Sequence, residues 1–179
     1  MKITLIRHAQ IDQKYQGHYN GHLDIGLSKQ GYKDAKEFGK KLDCKEFDTI
    51  YCSDLKRAKE TIKQFSCTQK IIYTDKLREK SWGKHEGMSF DEIISKDEIK
   101  YENFLQWIKA LDGEDYESYI KRIKKFFIHQ LPSTNKKNIL IVTHAGVIRT
   151  LLHIFKDITL EEAFSIKVPY LHTICVYPS

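Results

Sequence analysis

The sequence predicts an α/β fold, a three-layer α/β/α sandwich built on a mainly parallel sheet of five to six strands. Three observations point there. The near-continuous apolar runs Ile3-Thr4-Leu5-Ile6 and Ile139-Leu140-Ile141-Val142 read as strands buried on both faces, as parallel strands are. Strand-like and helix-periodic segments alternate along the chain. Both runs also end in a histidine, His8 in Arg7-His8-Ala9 and His144 in Thr143-His144-Ala145-Gly146, at the C-terminal strand edge where open parallel sheets bind ligands.

The elements follow in order. After the first strand comes a polar, glycine-dotted loop from Gln10 to Gly26. Ser28 then caps a helix with Tyr32, Ala35, Phe38 and Leu42 on its apolar face. Phe47 to Cys52 is a second strand, and Ser53 with Asp54 is expected to cap a helix carrying Leu55, Ala58, Ile62 and Phe65. Ile71 to Tyr73 is a third strand, followed by an irregular stretch from Leu77 to Met88. Ser89 and Glu92 have the spacing of a capping box and open a short helix with Ile93 and Ile94. Further helices are expected from about Ile99 to Leu111 and from about Asp115 to Leu131, where Pro132 ends the run. The strand into His144, a helix from Gly146 to Phe155 and a last strand from Thr173 to Tyr177 complete the fold. The whole chain, 1–179, reads as one domain, with a helical lid at about 89–131.

Composition narrows the function. The chain has 179 residues, 41% of them hydrophobic, enough for a real core. No apolar run approaches the ~18 residues of a membrane span, and the N-terminus enters a strand without the features of a secretory signal, so a cytoplasmic location is expected. Cys44, Cys52, Cys67 and Cys175 lack CxxC spacing, which argues against zinc, and at this size they read as ordinary thiols rather than a disulfide framework. The net charge of +6 suggests an anionic partner, but most lysines alternate with acids on helical faces and there is no arginine-rich stripe, so nucleic acid is not expected. Arginine is scarce, five against 25 lysines, which makes Arg7 and Arg57 informative as planar forks suited to phosphate.

A lone histidine closing a strand is usually only a polar strand end. Here the first follows Arg7, and the second stands at the start of a helix, whose unpaired N–H groups and partial positive charge favour an anion. Together they favour phosphate chemistry. His18 and His22 are spaced i, i+4, but Asn20-Gly21 between them favours a turn, so a metal pair is not expected.

Five blocks in fixed order then carry a resemblance: Leu5-Ile6-Arg7-His8-Ala9; Tyr19-Asn20-Gly21 with Asp24 and Leu27-Ser28; Ser53-Asp54-Leu55-Lys56-Arg57-Ala58 with Thr61; Leu77-Arg78-Glu79 with Gly83 to Gly87; and His144-Ala145-Gly146. The chain resembles the histidine phosphatase superfamily, the group that includes the cofactor-dependent phosphoglycerate mutases, and the resemblance implies a phosphoglycerate mutase-like fold. It further implies that His8 is the nucleophile and carries a phosphohistidine. Arg7, Arg57 and His144, with the N–H at Ala145, would clamp the phosphoryl group, and Glu79 would protonate the leaving oxygen and activate water. Read alone, Glu79 and Arg57 would pass for surface residues. The cationic side chains take the charge that magnesium handles elsewhere, so neither metal nor cofactor is expected.

Three positions depart from the family pattern: Ala9 stands for its glycine, Gln10 for its glutamate and Lys14 for its asparagine. Lys14 is expected to add positive charge to the phosphate site, with Asn20, Gly21 and Ala145 as further substrate-binding residues. The run from Lys80 to Gly87 is similar to the phosphatase branch, and Tyr19-Asn20-Gly21-His22 is similar to the α-ribazole phosphatase type. The expected activity is therefore hydrolysis of a small phosphorylated metabolite, with α-ribazole 5′-phosphate as candidate. A phosphoglycerate mutase and a non-catalytic phosphate-binding module are the alternatives. The expected partner is that small substrate, with a homodimer left open, and no membrane.

Overall fold

A computed structural model describes residues 1–96 and 99–177; positions 97 and 98, inside the stretch read as a lid, and positions 178 and 179 lie outside the described residues. Among the described residues five strands form one sheet: β1 (Lys2–Arg7), β2 (Thr49–Ser53), β3 (Ile71–Thr74), β4 (Asn138–Thr143) and β5 (Thr173–Val176), in the order β3-β2-β4-β1-β5. All neighbours are parallel except β5, which runs antiparallel to β1 at the edge. The helices are α1 (Lys29–Lys41), α2 (Lys56–Ile62), α3 (Phe90–Lys96), α4 (Phe104–Ala110), α5 (Tyr116–Lys124), α6 (Ala145–Lys156) and α7 (Leu160–Ser165).

Pleating explains the two apolar runs. Ile3, Leu5, Ile139 and Ile141 face one layer, packed with Ile123 and Phe127 from α5 and its continuation and with Val147 and Leu151 from α6. Ile6, Leu140 and Val142 face the other, packed with Ala58 and Ile62 from α2 and with Phe65 beyond it. Because side chains alternate and both faces are covered, neither run has a polar side. This is the expected three-layer arrangement, with five strands.

Local chemistry corrects several boundaries. Ser53 and Asp54 do not cap α2: Ser53 closes β2, Leu55 takes the N-cap position without a side-chain hydrogen bond, and Asp54 instead binds Arg78 through both carboxylate oxygens, 2.7 and 2.6 Å. On α1 the buried face is Gly31, Ala35 and Gly39, while Tyr32 is exposed, because the helix lies against the backbone of Gln10 and of Gln64 and Phe65. The helix expected from Asp115 to Leu131 is α5 followed by a π-helical turn, Lys125–Gln130. The stretch read as helix from Ile99 starts only at Phe104, where Asn103 supplies the cap. The Ser89–Glu92 capping box forms as read. Helix α7 was missed although Thr159 and Glu162 form a capping box of the same type. Of the four cysteines read as thiols, Cys44 and Cys67 are joined in a disulfide, since the turn before β2 and the loop after α2 bring their Cα atoms to 5.2 Å; Cys52 and Cys175 are free. Among the described residues no helix is long and apolar enough to cross a membrane.

Candidate active site

The register of β1 on β4 builds the centre of the site. Arg7 lies opposite Thr143, so the next residue of each strand, His8 and His144, emerges beside the other, with ring centroids 5.2 Å apart. The His8 amide also donates to the Thr143 carbonyl at 2.9 Å. His8 Nδ1 is 2.8 Å from the Ala9 carbonyl oxygen. A carbonyl only accepts, so Nδ1 carries the hydrogen and Nε2 keeps its lone pair. Burial, followed by the charges of Arg57 and Arg7, holds His8 well below its ordinary pKa of 6.5. The ring is a neutral imidazole at pH 7.

Arg57, 2% exposed, is fixed by three partners: Nη1 donates to Leu23 O at 2.9 Å, Nη2 to Gly21 O at 2.7 Å and Nε to His144 Nδ1 at 3.2 Å. Gly21 can offer its carbonyl there because it adopts φ +41°, and a Cβ would lie 2.5 Å from Glu86 Oε1. Burial pulls the guanidinium pKa down to about 10, which still leaves it charged at neutral pH. Accepting from Arg57 at Nδ1 means that neutral His144 bears its hydrogen on Nε2, where it donates to Ser53 Oγ at 2.8 Å. Burial, then Arg57, also holds His144 well below 6.5. Arg7 donates through Nη1 to Val168 O at 2.6 Å and lies over the Tyr170 ring, 4.1 Å from its centroid.

Glu79 stands on the other side of the same cleft, which has a volume of about 240 Å³. Its Oε2 accepts from the Gly146 amide at 2.9 Å, at the N-terminus of α6, and its Oε1 accepts from the Lys80 amide at 3.1 Å and the Tyr119 hydroxyl at 3.2 Å. A Cβ at Gly146 would come within 2.1 Å of Glu79 Oε1, so a larger residue there would displace that carboxylate. Burial, with the Glu79 charge next, pushes the Tyr119 hydroxyl well above 10.0, so it stays a phenol and a donor. Beyond Glu79 the wall is aromatic and apolar, formed by Tyr19, Trp82, Phe104, Ile108, Tyr116 and Phe164.

Of the residues singled out from sequence, Arg7, His8, Arg57, Glu79, Asn20 and Gly21 line this one cleft. His144 does not line it; the residue sits behind Arg57 with both ring nitrogens bonded to protein. Ala145 does not line it either, because the helix N–H that faces the site is that of Gly146, and Glu79 already accepts from it. Lys14 lies in a separate surface groove with Asp12, Tyr15 and Asp24, its ammonium 4.7 Å from the Tyr15 ring centroid, outside the cleft in which it was expected. Asn20 uses its Nδ2 on Tyr15 O at 2.7 Å, so that amide group is committed to the loop. Sequence reasoning missed Tyr119, Arg122, Lys80 and Arg149. Scarcity of arginine could have found two of them: Arg7, Arg57 and Arg149 line the cleft, while Arg78 and Arg122 hold the segment that carries Glu79. Ala9 and Gln10 have local roles, the Ala9 amide donating to Thr61 Oγ1 at 2.9 Å and the Gln10 side chain accepting from the capping hydroxyl of Ser28 at 2.7 Å.

The chain is similar to known proteins along nearly its whole length. The family described as histidine phosphatase superfamily (branch 1) matches residues 3–178. The chain is 27% identical over 173 residues to phosphoserine phosphatase 1 of Hydrogenobacter thermophilus, across 92% of this chain and 81% of that one. It is 26% identical over 157 residues to the adenosylcobalamin/α-ribazole phosphatase of Escherichia coli, across 85% and 77% of the two chains. In fold it is similar to the crystal structure of the α-ribazole phosphatase from Shigella flexneri, with a TM-score of 0.85 over 100% of this chain and 91% of that one at 24% identity. With the family matched from end to end and two strand-end imidazoles side by side, the chain belongs to the histidine phosphatase superfamily, branch 1.

Proposed function

We propose that this chain hydrolyses the phosphate ester of a small metabolite by way of a phosphohistidine on His8. The observation that carries the reading is the His8 ring: neutral, with Nδ1–H held by the Ala9 carbonyl, in a cleft that also holds Arg7 and Arg57. In the first step Nε2 forms a bond to phosphorus as the P–O bond to the leaving group breaks, and the leaving oxygen takes a proton from the Glu79 carboxyl. In the second, water attacks phosphorus, Glu79 takes a proton from that water, and the P–N bond breaks with its electron pair returning to Nε2. Arg7 and Arg57 face the charge that spreads over the equatorial oxygens. His144 acts through Arg57, holding the guanidinium from behind. The chemistry assigned to these side chains needs no metal ion, so turnover should survive a chelator.

For the substrate we propose α-ribazole 5′-phosphate. The run Tyr19-Asn20-Gly21-His22 and an aromatic wall able to stack on a planar base support it. One observation favours a second reading, an acidic leaving group such as that of phosphoserine: Arg149 is in the cleft, with Nε on Ile166 O at 3.0 Å and, among the described residues, no carboxylate within ion-pair distance. The experiment is a panel of α-ribazole 5′-phosphate, O-phosphoserine and p-nitrophenyl phosphate, ranked by kcat/KM with chelator present, for the wild type and Arg149→Met. A wild-type preference for α-ribazole 5′-phosphate that Arg149→Met leaves in place supports the first reading. A preference for phosphoserine that Arg149→Met removes supports the second. Loss of all turnover with chelator, or phosphoryl transfer to 3-phosphoglycerate from its bisphosphate in place of hydrolysis, would contradict the phosphatase reading.

A further inference from the structure

Glu79 sits in a segment, residues 78–82, that belongs to no helix or strand, so no backbone ladder fixes it. Side chains fix it: Arg78 is paired with Asp54, His22 Nε2 lies 2.9 Å from the Glu79 carbonyl, and one face of α5 supplies the rest. Arg122 Nη1 donates to the carbonyls of Lys76 and Arg78 at 2.9 and 3.1 Å, and Nη2 donates to the carbonyl of Glu79 at 3.4 Å. The remaining N–H groups bind Glu114 in a bidentate pair, Nε and Nη2 each at 2.8 Å. All five guanidinium hydrogens are thus assigned, three of them to the stretch that ends in Glu79. One turn earlier on the same helix, Tyr119 donates to the Glu79 carboxylate, and the Arg122 guanidinium carbon is 5.0 Å from the Tyr119 ring centroid.

We propose that Tyr119 and Arg122, the latter locked by Glu114, are positioning residues that aim Glu79 at the leaving oxygen. The inference rests on the reading of Glu79 as acid and base given above. A proton donor must sit within hydrogen-bond reach of the atom it protonates, and a displacement of about 1 Å costs on the order of 10²-fold. A lysine at 122 cannot serve a carboxylate fork and three carbonyls at once, and a phenylalanine at 119 keeps the core filled while removing the hydroxyl that donates to Glu79.

The test is kcat/KM over a series of phosphate monoesters from p-nitrophenyl to simple alkyl phosphates, for the wild type, Glu79→Gln, Tyr119→Phe and Arg122→Lys. This constant reports formation of the phosphohistidine, where only a poor leaving group needs the proton. Glu79→Gln should steepen the dependence on leaving-group pKa. Tyr119→Phe and Arg122→Lys should steepen it in the same sense, the alkyl esters falling by on the order of 10-fold to 10²-fold while p-nitrophenyl phosphate changes by less than about threefold. If Glu79→Gln steepens the slope and both positioning variants run parallel to the wild type, the inference is overturned and the Glu79 reading stands. If Glu79→Gln leaves the slope unchanged, both fall. Tyr119→Phe loses only a hydroxyl, so it carries the comparison should Arg122→Lys fail to fold.

Discussion

The two sides of the cleft are held by different kinds of interaction. The phosphate side hangs on the sheet: Arg7 ends β1, His8 follows it, His144 follows β4, and their separation follows from parallel pairing of strands that pack on both faces. The Glu79 side hangs on side chains, a carboxylate caught between the start of α6 and the hydroxyl of α5, with its backbone tied by Arg122. Arg7 and the nucleophile are thereby placed by the sheet, and the proton-transfer group by side-chain contacts that a single substitution can shift. The five arginines divide along the same line, three in the cleft and two behind Glu79, while lysines largely cover the surface.

That contrast can be broken from either side. The largest effect is expected from Arg57→Met, which removes a buried cation facing the phosphoryl group and leaves His144 without its donor; kcat should fall by on the order of 10²- to 10³-fold for every ester, good leaving group or poor. A loss confined to alkyl esters would mean that Arg57 belongs with the Glu79 side. Next is Gly146→Ala, whose methyl would occupy the position of Glu79 Oε1. Here the alkyl esters should lose on the order of 10²-fold while circular dichroism stays that of the wild type, and equal losses across the series would place Gly146 with the phosphate side.

The pH dependence sharpens the comparison further. His8 and His144 are both held well below 6.5 by burial and by nearby guanidinium groups. An unfolded chain therefore takes up protons below about pH 6.5 that the folded chain refuses. Stability rises with pH across the window from the folded pKa values to 6.5 and is lost as pH falls through it. Ring-nitrogen NMR should find both imidazoles still neutral at pH 6.5, and half-protonation there would undo the account of the nucleophile. Smallest of all is Lys14→Met: the lysine lies outside the cleft, so phosphate inhibition should change by less than about twofold, and a larger change would show that the loop swings it inward.

How legible each side was follows from the same division. The sheet, its parallel core and the residues of the phosphate side lie in short local runs, and apolar continuity with strand-end histidines exposes them. Side-chain partnerships across distant segments leave no such trace, which is why Ser53 and Asp54 read as helix caps when their partners are His144 and Arg78. Glu79 itself was found only through its block in the family pattern, since nothing in Leu77-Arg78-Glu79 announces a carboxylate at a helix start. Tyr119 lies in the core, and its hydroxyl contact with Glu79 depends on how α5 lies against residues 77–80. The Cys44–Cys67 link was missed for a similar reason, as only the packed turns bring the pair together.

The most direct measurement is a rapid acid-free quench of enzyme mixed with substrate, followed by peptide mapping and phosphorus NMR. The account predicts one acid-labile, base-stable phosphoryl group on Nε2 of His8, absent in His8→Ala together with turnover. Turnover that persists in His8→Ala, or a phosphoryl group found on another residue, would contradict it.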